Sequence, residues 1–347
     1  MEPLRFAHHF FHFESAAWRR LRERQPADPG FGRFLFSHCP LPRRKLRQGE
    51  PITFEEALRV HEGILARERE LGVRAIPEDH PEYPEALRQI QPERRPALLY
   101  IRGAPIPEEK HLVAIVGTRS PSECGREAAL CFSTYLSAIG VRIVSGLARG
   151  IDTIAHENSM ALGTIAVLGA GVGQVYPEDN QALAENILQR SGSLVSPFPL
   201  DQVPLPQNFP DRNELIAALA AGVIVVEGAE KSGAAITGRQ ALAMGKAVVV
   251  LTQDFRSEFG RGAIRLQQDG GQLVTREEEA VEAIFRRFGG FAGALPAAKS
   301  PLQRRNSFSF REFQKASGRN VPEAVAFLEE GILQGKIERF GLRYRLT

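Results

Sequence analysis

Short apolar runs that end in small residues recur through the middle of the chain, and they constrain its fold more than any other feature. The runs are Val113–Val116, Val141–Val144, Thr164–Leu168, Val223–Val226 and Ala247–Leu251. Each has the length of a buried β-strand and is too short to span a membrane. Because segments of helical length separate them, the runs predict an α/β fold built on an extended, mostly parallel Rossmann-like sheet.

The turn after the second run is especially informative. Residues 145–152 read Ser-Gly-Leu-Ala-Arg-Gly-Ile-Asp and lead into a predicted helix that carries His156. Such strand–turn–helix junctions lie at the carboxyl edge of a parallel sheet, where ligands bind. Small residues let backbone N–H groups approach an anion, and the helix N-terminus adds a partial positive charge. The turn therefore predicts a phosphate cradle.

Similar turns follow two other runs, so several cradles are predicted along one edge of the sheet. A nucleic-acid backbone that crosses successive turns fits this pattern better than one small cofactor does. Arg119 is the strongest candidate, because a guanidinium can bind a phosphate through two hydrogen bonds. The predicted phosphate ligands are Gly117, Thr118, Arg119, Ser145, Gly146, Arg149, Gly150, Lys231, Ser232, Gly233 and Thr237.

A proline-rich segment supplies three further candidates, Phe209, Arg212 and Asn213. The prolines predict a stiff loop, which loses less entropy when it orders. An aromatic ring beside an arginine and an asparagine can stack one base and hold its backbone. A role for Phe209 in filling the core is an equally open interpretation.

Enzyme motifs are weak in this sequence. The dinucleotide fingerprint needs G-x-G-x-x-G after the first strand, whereas the first turn here is Gly117-Thr118-Arg119. Asp152 and His156 stand one helical turn apart, so we expect a hydrogen bond between them, with Asp152 capping its helix or orienting Arg119 or Arg149. Ser145 lacks the G-x-S-x-G context of a hydrolase nucleophile. No catalytic residue, metal site or cofactor is predicted.

Several separate motifs together resemble the bacterial DNA-processing protein A family, also called DprA or Smf. They are Val113–Arg119, Ser145–His156, Tyr176–Asn180, Phe209–Asn213 and Ser232–Thr237, within a region from about residue 79 to residue 274. The resemblance implies a homodimer that binds single-stranded DNA and loads the RecA recombinase in natural transformation, and also in DNA repair. Asp211 and Glu214 depart from the basic residues usual in the family, which predicts altered DNA contacts there.

The chain of 347 residues is long enough for several domains. We predict a small helical domain over 1–78, which resembles a SAM-like bundle in family members, and the Rossmann-like core over 79–288. A linker over 289–301 and a winged-helix-like domain over 302–347 follow. Residues 299–347 carry a net charge of +5, whereas the rest of the chain carries −2. This basic end predicts a contact with duplex DNA or with a protein partner.

Three hypotheses about function remain open. The first is a recombination mediator that binds single-stranded DNA. The second is a nucleotide-processing Rossmann enzyme similar to phosphoribohydrolases, although their Pro-Gly-Gly-x-Gly-Thr-x-x-Glu run is missing here. The third is an interaction module that acts through the C-terminal domain. The three cysteines fit no zinc pattern, and no secretory signal or membrane span is apparent, so we expect a cytoplasmic protein.

Overall fold

The computed structural model describes residues 54–251 and 257–289, together with Arg5 and three short strands near the C-terminus. Contacts divide the chain into two compact units, residues 1–293 and 294–347. In the second unit, β10 (Ser307–Ser309), β11 (Ile337–Phe340) and β12 (Arg343–Leu346) form an antiparallel sheet in the order β10-β12-β11. Strands β11 and β12 form a hairpin, and in β12 Tyr344 and Leu346 alternate with Arg343 and Arg345. The predicted helices of this domain, and the predicted linker apart from residue 289, lie outside the described residues.

Nine strands of the first unit form one sheet, in the order β1-β2-β6-β5-β4-β3-β7-β8-β9. The strands are β1 Val73–Pro77, β2 Leu98–Gly103, β3 Leu112–Val116, β4 Arg142–Ser145, β5 Ile165–Val167, β6 Ser193–Ser196, β7 Gly222–Val225, β8 Ala247–Leu251 and β9 Gln272–Val274. The strands β3 to β9 pair in parallel, while β1 and β2 add an antiparallel edge. The predicted Rossmann-like fold is confirmed.

Helices cover both faces of this sheet. They are α1 Phe54–Glu70, α2 Glu123–Ala138, α3 Ile151–Glu157, α4 Gln181–Gln189, α5 Asn208–Leu219, α6 Gly233–Ala243, α7 Glu258–Gln268 and α8 Glu277–Phe285. Alternate residues of the central strand β3 face opposite layers, as the period of a strand requires. Ala114 and Val116 belong to the apolar cluster with α5, α6 and α7, whereas Val113 and Ile115 pack with α2, α3 and α8.

The sheet begins before the predicted domain boundary at residue 78. Strand β1 pairs with β2 over its whole length, and Ile64 of α1 shares an apolar cluster with Val73, Leu98 and Tyr100. Helix α1 therefore packs on the core instead of belonging to a separate bundle, because it has an apolar face that β1 and β2 bury. Residues 1–53 of the domain predicted over 1–78 lie outside the described residues, apart from Arg5. Among the helices that the structure describes, none is both long and apolar enough to span a bilayer.

The strand order reverses beside β3, and this reversal marks where a ligand binds along the carboxyl edge of the sheet. The chain runs outward from β3 through β4, β5 and β6, and then returns to the other side of β3 to form β7, β8 and β9. The connections after β3 and β7 therefore diverge, and a crevice opens at the carboxyl ends of these two neighbouring strands.

Two glycine substitutions test how tightly the connections at this edge are packed. A Cβ atom on Gly171 would overlap the carbonyl oxygens of Pro199 and Leu200, whereas one on Gly63 in α1 would meet open space. We expect Gly171→Ala to lower the free energy of unfolding by about 3 kcal/mol. Gly63→Ala should raise it by about 0.5–1 kcal/mol, because alanine favours the helix. Urea unfolding measures both, and equal effects would contradict the packing described.

Candidate nucleic-acid interface

The turns after β3 and β4 support each other. A Cβ atom on Gly117 would lie 2.5 Å from Cγ1 of Ile151, and one on Gly150, which has a φ of +79°, would overlap the carbonyl oxygen of Thr118. The backbone N–H of Ile151 donates to that same carbonyl oxygen at 3.2 Å. The glycines are therefore required by the close approach of two loops, and the β3 turn is held in one position.

A cleft of about 320 Å³ opens where the turns after β3 and β7 diverge, as the topology predicts. It brings together nine of the fourteen residues predicted from the sequence. They are Gly117, Thr118, Arg119, Phe209, Arg212, Asn213, Ser232, Gly233 and Thr237. A smaller cavity of about 30 Å³ adjoins it and adds Gly146 and Arg149. Gly150 packs behind the β3 turn, while Ser145 and Lys231 line neither space.

Backbone N–H groups are available on two sides of the cleft. Those of Gly117, Thr118 and Arg119 donate to no acceptor among the described residues. On the opposite side, Ser232 caps α6 by accepting from the N–H of Ala235 at 3.2 Å, and the preceding N–H groups at this helix end have no internal partner. The cleft thus offers hydrogen-bond donors and the positive end of a helix dipole, which together suit an anion.

The predicted loop at Phe209, Arg212 and Asn213 is wrong, because these residues lie in the first turns of α5. Pro210 is compatible with this position, since the first N–H groups of a helix have no internal acceptor. The spacing of three residues places Phe209 and Arg212 on one face. The guanidinium carbon of Arg212 lies 5.6 Å from the centroid of the Phe209 ring. The helix therefore holds the guanidinium of Arg212 within cation–π distance of the Phe209 ring.

Arg212 is a buried cation at the floor of the cleft. It donates to the carbonyl oxygen of Val167 at 3.2 Å, and its Nε has no acceptor among the described residues. A Cβ atom on Gly146 would overlap its Nη1, so only glycine leaves room for the guanidinium. Burial lowers the pKa of Arg212 to about 10, against the opposing effect of Asp152 and with a further lowering by Arg119. The arginine therefore remains charged at neutral pH.

Asp152 faces this cation and is itself only 6% exposed. Its Oδ2 accepts from the N–H of Gly146 at 3.1 Å and from that of Ala148 at 3.3 Å. Burial raises the pKa of the Asp152 carboxyl, while Arg212 and these backbone donors oppose the rise. The predicted role of Asp152 in orienting Arg119 or Arg149 is replaced by a role at the β4 turn and opposite Arg212.

Ser145 and His156 take structural positions that sequence reasoning did not anticipate. Ser145 is fully buried and its hydroxyl donates to the carbonyl oxygen of Ile115 at 2.7 Å, so its side chain is engaged within the protein, and its place in a phosphate cradle stays a prediction. His156 pairs through Nδ1 with Oγ1 of Thr164 at 2.8 Å, and not with Asp152 as predicted. Burial, together with the charge of Arg212, lowers the pKa of His156 to about 3, so this imidazole is neutral.

A carboxylate of the chain itself occupies the N-terminus of α2. Glu227, at the end of β7, accepts from the backbone N–H of Ser122 at 2.9 Å and also from its hydroxyl. A Cβ atom on Gly125 would overlap the Glu227 carboxyl group. In dinucleotide enzymes the helix after the first strand of the motif binds the pyrophosphate at this end. Here that position is already filled by an internal anion, which agrees with the missing fingerprint.

Other predicted residues hold the cleft in shape. The side-chain amide of Asn213 donates to the carbonyl oxygen of Gly233 at 3.3 Å, and the hydroxyl of Thr237 donates to the same oxygen at 3.0 Å. These contacts fix the N-terminus of α6 against α5. Lys231 is exposed beside that helix end. Glu214 forms an ion pair with Arg94 at 2.9 Å and lies outside the cleft lining, so its negative charge does not oppose an anion there.

Tyr176 is a candidate that sequence reasoning missed. It is 45% exposed, lines the smaller cavity and has its ring centroid 5.9 Å from that of Phe209. The segment that carries it is fixed by Asn180, whose amide donates to the carbonyl oxygen of Leu147 at 2.8 Å, and by an ion pair of Asp179 with Arg149 at 2.7 Å. The signal was present in the Tyr176–Asn180 motif, which the sequence analysis used only for the family resemblance.

Glu227→Gln tests the internal anion at α2. Glutamine cannot accept equally well from both Ser122 donors and carries no charge, so we expect the free energy of unfolding to fall by about 1–3 kcal/mol. Glu230→Gln, an exposed position a few residues later, should change it by less than about 0.5 kcal/mol. Chemical denaturation of the full chain measures both values. Equal stability of the two variants would show that Glu227 does not hold α2.

The family model described as DNA recombination-mediator protein A matches residues 74–285. Protein Smf of Escherichia coli (strain K12) is 39% identical over 211 residues, which are 60% of this chain and 56% of that protein. DNA processing protein DprA of Bacillus subtilis (strain 168) is 35% identical over 227 residues, 65% of this chain and 75% of its own length. This chain thus spans little more than half of the Escherichia coli relative.

Two solved structures share the fold. DNA processing protein A from Streptococcus pneumoniae is 29% identical with a TM-score of 0.55, over 67% of this chain and 82% of that one. DNA processing protein A from Helicobacter pylori, whose structure was described for its single-stranded DNA binding mode, is 25% identical with a TM-score of 0.55, over 62% and 96% of the two chains. Since the family model covers more than half of the sequence and its matched region contains the whole cleft, the chain belongs to the DNA recombination-mediator protein A family.

Proposed function

We propose that this chain is a recombination mediator that binds single-stranded DNA in the cleft between the β3 and β7 turns. One observation carries the proposal: Arg119, buried Arg212 and the N–H groups at two sides converge on one open space. These groups recognise phosphate oxygens without reading a base. The Helicobacter pylori relative is described by its binding of single-stranded DNA, which supports the same ligand class here.

Arg119 supplies the accessible charge. Its side chain is exposed at the mouth of the cleft and pairs with no acidic residue in the described part of the chain. It can therefore form a bidentate contact with a phosphate at little cost in desolvation. The N–H groups of Gly117 and Thr118 lie in the same turn and would share that phosphate. The N-terminus of α6 would hold the next one, because a helix end attracts an anion.

Phe209 and Tyr176 provide a surface for bases. Phe209 is half-buried, with Arg212 near its ring on one side and Tyr176 near it on another. Stacking on aromatic rings is tolerant of sequence because every base has a π-face. Phosphate contacts and stacking together give binding without strong sequence preference and with strong dependence on salt.

Binding explains the site better than catalysis does. Ser145 donates its hydroxyl proton to the carbonyl oxygen of Ile115, and His156 pairs with Thr164. Asp152 lies beside Ser145 and accepts from the backbone of Gly146 and Ala148, so no imidazole links the acid to the serine. The helix end that a dinucleotide would use is filled by Glu227. Within the described residues no group of three or more His, Cys, Asp or Glu side chains could hold a metal ion. We therefore prefer the mediator over a phosphoribohydrolase-like enzyme.

Dimer formation and RecA loading complete the proposal and rest on membership of the family. The open edge strand β9 supports a homodimer, because its outer N–H and C=O groups have no strand partner in the described sheet. Leu273 of β9 and Ile264 of α7 are each 40% exposed near this edge. A dimer would carry two clefts, and a bound strand would be presented to the recombinase from them.

Arg119→Ala tests the phosphate site. We expect the affinity for an oligothymidine of about 20 nucleotides to fall about 10- to 100-fold, because one charged contact is lost. The plot of log affinity against log salt should become shallower by about 0.7 for that contact. Fluorescence anisotropy at several salt concentrations measures both. Arg190→Ala, an exposed arginine before the amino end of β6, is the matched control and should leave affinity unchanged.

Equal affinity of the Arg119→Ala variant and the wild type would move the DNA site away from this cleft. Tyr176→Ala provides a second comparison, since loss of a stacked base costs about 1–3 kcal/mol whereas Tyr176→Phe keeps the ring. Turnover of a nucleoside monophosphate by the wild type would favour the enzyme hypothesis instead. Partner binding without DNA affinity would favour the interaction module.

The assembly is tested by measuring the mass of the wild type and of Leu273→Arg in solution. We expect a dimer and a monomer respectively, because a charge on β9 opposes edge pairing. Faster assembly of RecA on single-stranded DNA in the presence of the wild type would support the loading role. An unchanged assembly rate, with strand binding intact, would remove loading from the proposal and leave DNA binding.

A further inference from the structure

The charges around the cleft sum to about one positive charge. Buried Arg212 faces buried Asp152, and on the rim Arg149 pairs with Asp179 at 2.7 Å. His156 is neutral, since its pKa is about 3. Arg119 is therefore the charge left over among the described residues that line the two cavities. Because buried Arg212 and exposed Arg149 each have an acidic neighbour, the cleft is less positive than its three arginines suggest.

The carboxylate of Asp152 is held in place at the floor of the cleft. Both of its backbone hydrogen bonds, from Gly146 and Ala148, end on the same oxygen. The carboxyl group also lines the cleft although it is nine-tenths buried. Gly146 lies directly between the carboxylate and Arg212, where a Cβ atom would overlap the arginine. The negative charge is consequently fixed at the floor of the space that a phosphate would enter.

The charge of the phosphate depends on where it stands in a strand. An internal phosphodiester carries one negative charge, whereas a terminal phosphate or a free nucleotide carries nearly two at neutral pH, because its second pKa is about 6. In a partly buried site the additional charge interacts strongly with a fixed carboxylate. Beyond Arg119, the backbone N–H groups and the end of α6, no cationic side chain among the described residues that line the cleft is left without an acidic neighbour to offset that second charge.

We propose that Asp152 is a specificity-determining residue, which makes the cleft prefer an internal phosphodiester over a terminal phosphate or a free nucleotide. The proposal rests on the proposed binding of single-stranded DNA and adds which phosphates of the strand are accepted. It also gives a physical reason for a Rossmann-like cleft to bind a dianionic mononucleotide less tightly than a phosphodiester. Without this carboxylate, Arg119 and Arg212 together would match a dianion.

The test compares thymidine 5′-phosphate with its monomethyl ester, which differ by one methyl group and, at neutral pH, by nearly one negative charge. Calorimetric titration of the full chain gives the ratio of their affinities. We expect the wild type to favour the ester several-fold, and Asp152→Asn to shift the ratio about tenfold towards the monophosphate. Asparagine keeps an oxygen for both backbone donors. Glu157→Gln is the matched control, since this acid of the same helix is exposed and lines neither cavity, and it should shift the ratio less than about twofold.

An unchanged ratio in a folded Asp152→Asn variant would overturn the proposal, and so would a wild type that binds neither mononucleotide or favours the monophosphate. Thermal unfolding checks that the variant is folded. If it is not, the wild type alone decides: lowering the pH from about 7.5 to about 5.5 protonates the monophosphate, and the preference for the ester should then disappear. A preference that persists at the lower pH contradicts the proposal.

The labelled oligothymidine separates this result from the proposed function. Strand binding by the wild type with an unshifted ratio would remove only the role of Asp152. Failure to bind the strand would overturn the proposed function, whatever the ratio of the two mononucleotides is.

Discussion

The opposition of Arg212 and Asp152 across Gly146 is the interaction on which the rest of the site depends. It joins three segments that are distant in the sequence, namely α5, the start of α3 and the turn after β4. A buried arginine is costly unless a negative charge and hydrogen bonds compensate for it. Asp152 supplies the charge and Val167 supplies an acceptor. Once this pair is in place, the positions of Phe209 above it and of the β4 turn beside it follow.

The parallel sheet makes that arrangement possible because it collects loops from many parts of the chain at one edge. Residues from β3, β4, β7 and α5 meet at the cleft although about 120 positions separate the first from the last. The strands β3 to β8 are buried almost throughout and carry polar side chains only at their ends. Rigidity therefore belongs to the strands, while chemistry belongs to the turns that follow them.

Sequence patterns predicted the sheet and most of the cleft, since β-branched runs and glycine turns depend on local physical rules. Arg119, Ser232 and Gly233 were found because each lies in the connection that follows a strand. The predictions failed where tertiary contacts decide. The prolines near Phe209 indicated a loop, but the buried face of α5 overrides that tendency. His156 pairs with Thr164 of a neighbouring connection, and Tyr176 approaches Phe209 from a distant segment of the chain. Neither contact could be deduced from the spacing of residues in the sequence.

The carboxylate of Glu227 at the N-terminus of α2 has a directional consequence. Two helix ends point towards this edge of the sheet from either side of the β3 turn, and one of them is neutralised from within the chain. The electrostatic potential along the edge is therefore asymmetric: it is positive at the N-terminus of α6 and close to neutral at the N-terminus of α2. A polyanion that binds beside Arg119 is stabilised electrostatically if it continues towards α6, whereas it gains no such stabilisation towards α2. A single internal acid thus sets the direction in which a bound polyanion runs along this edge.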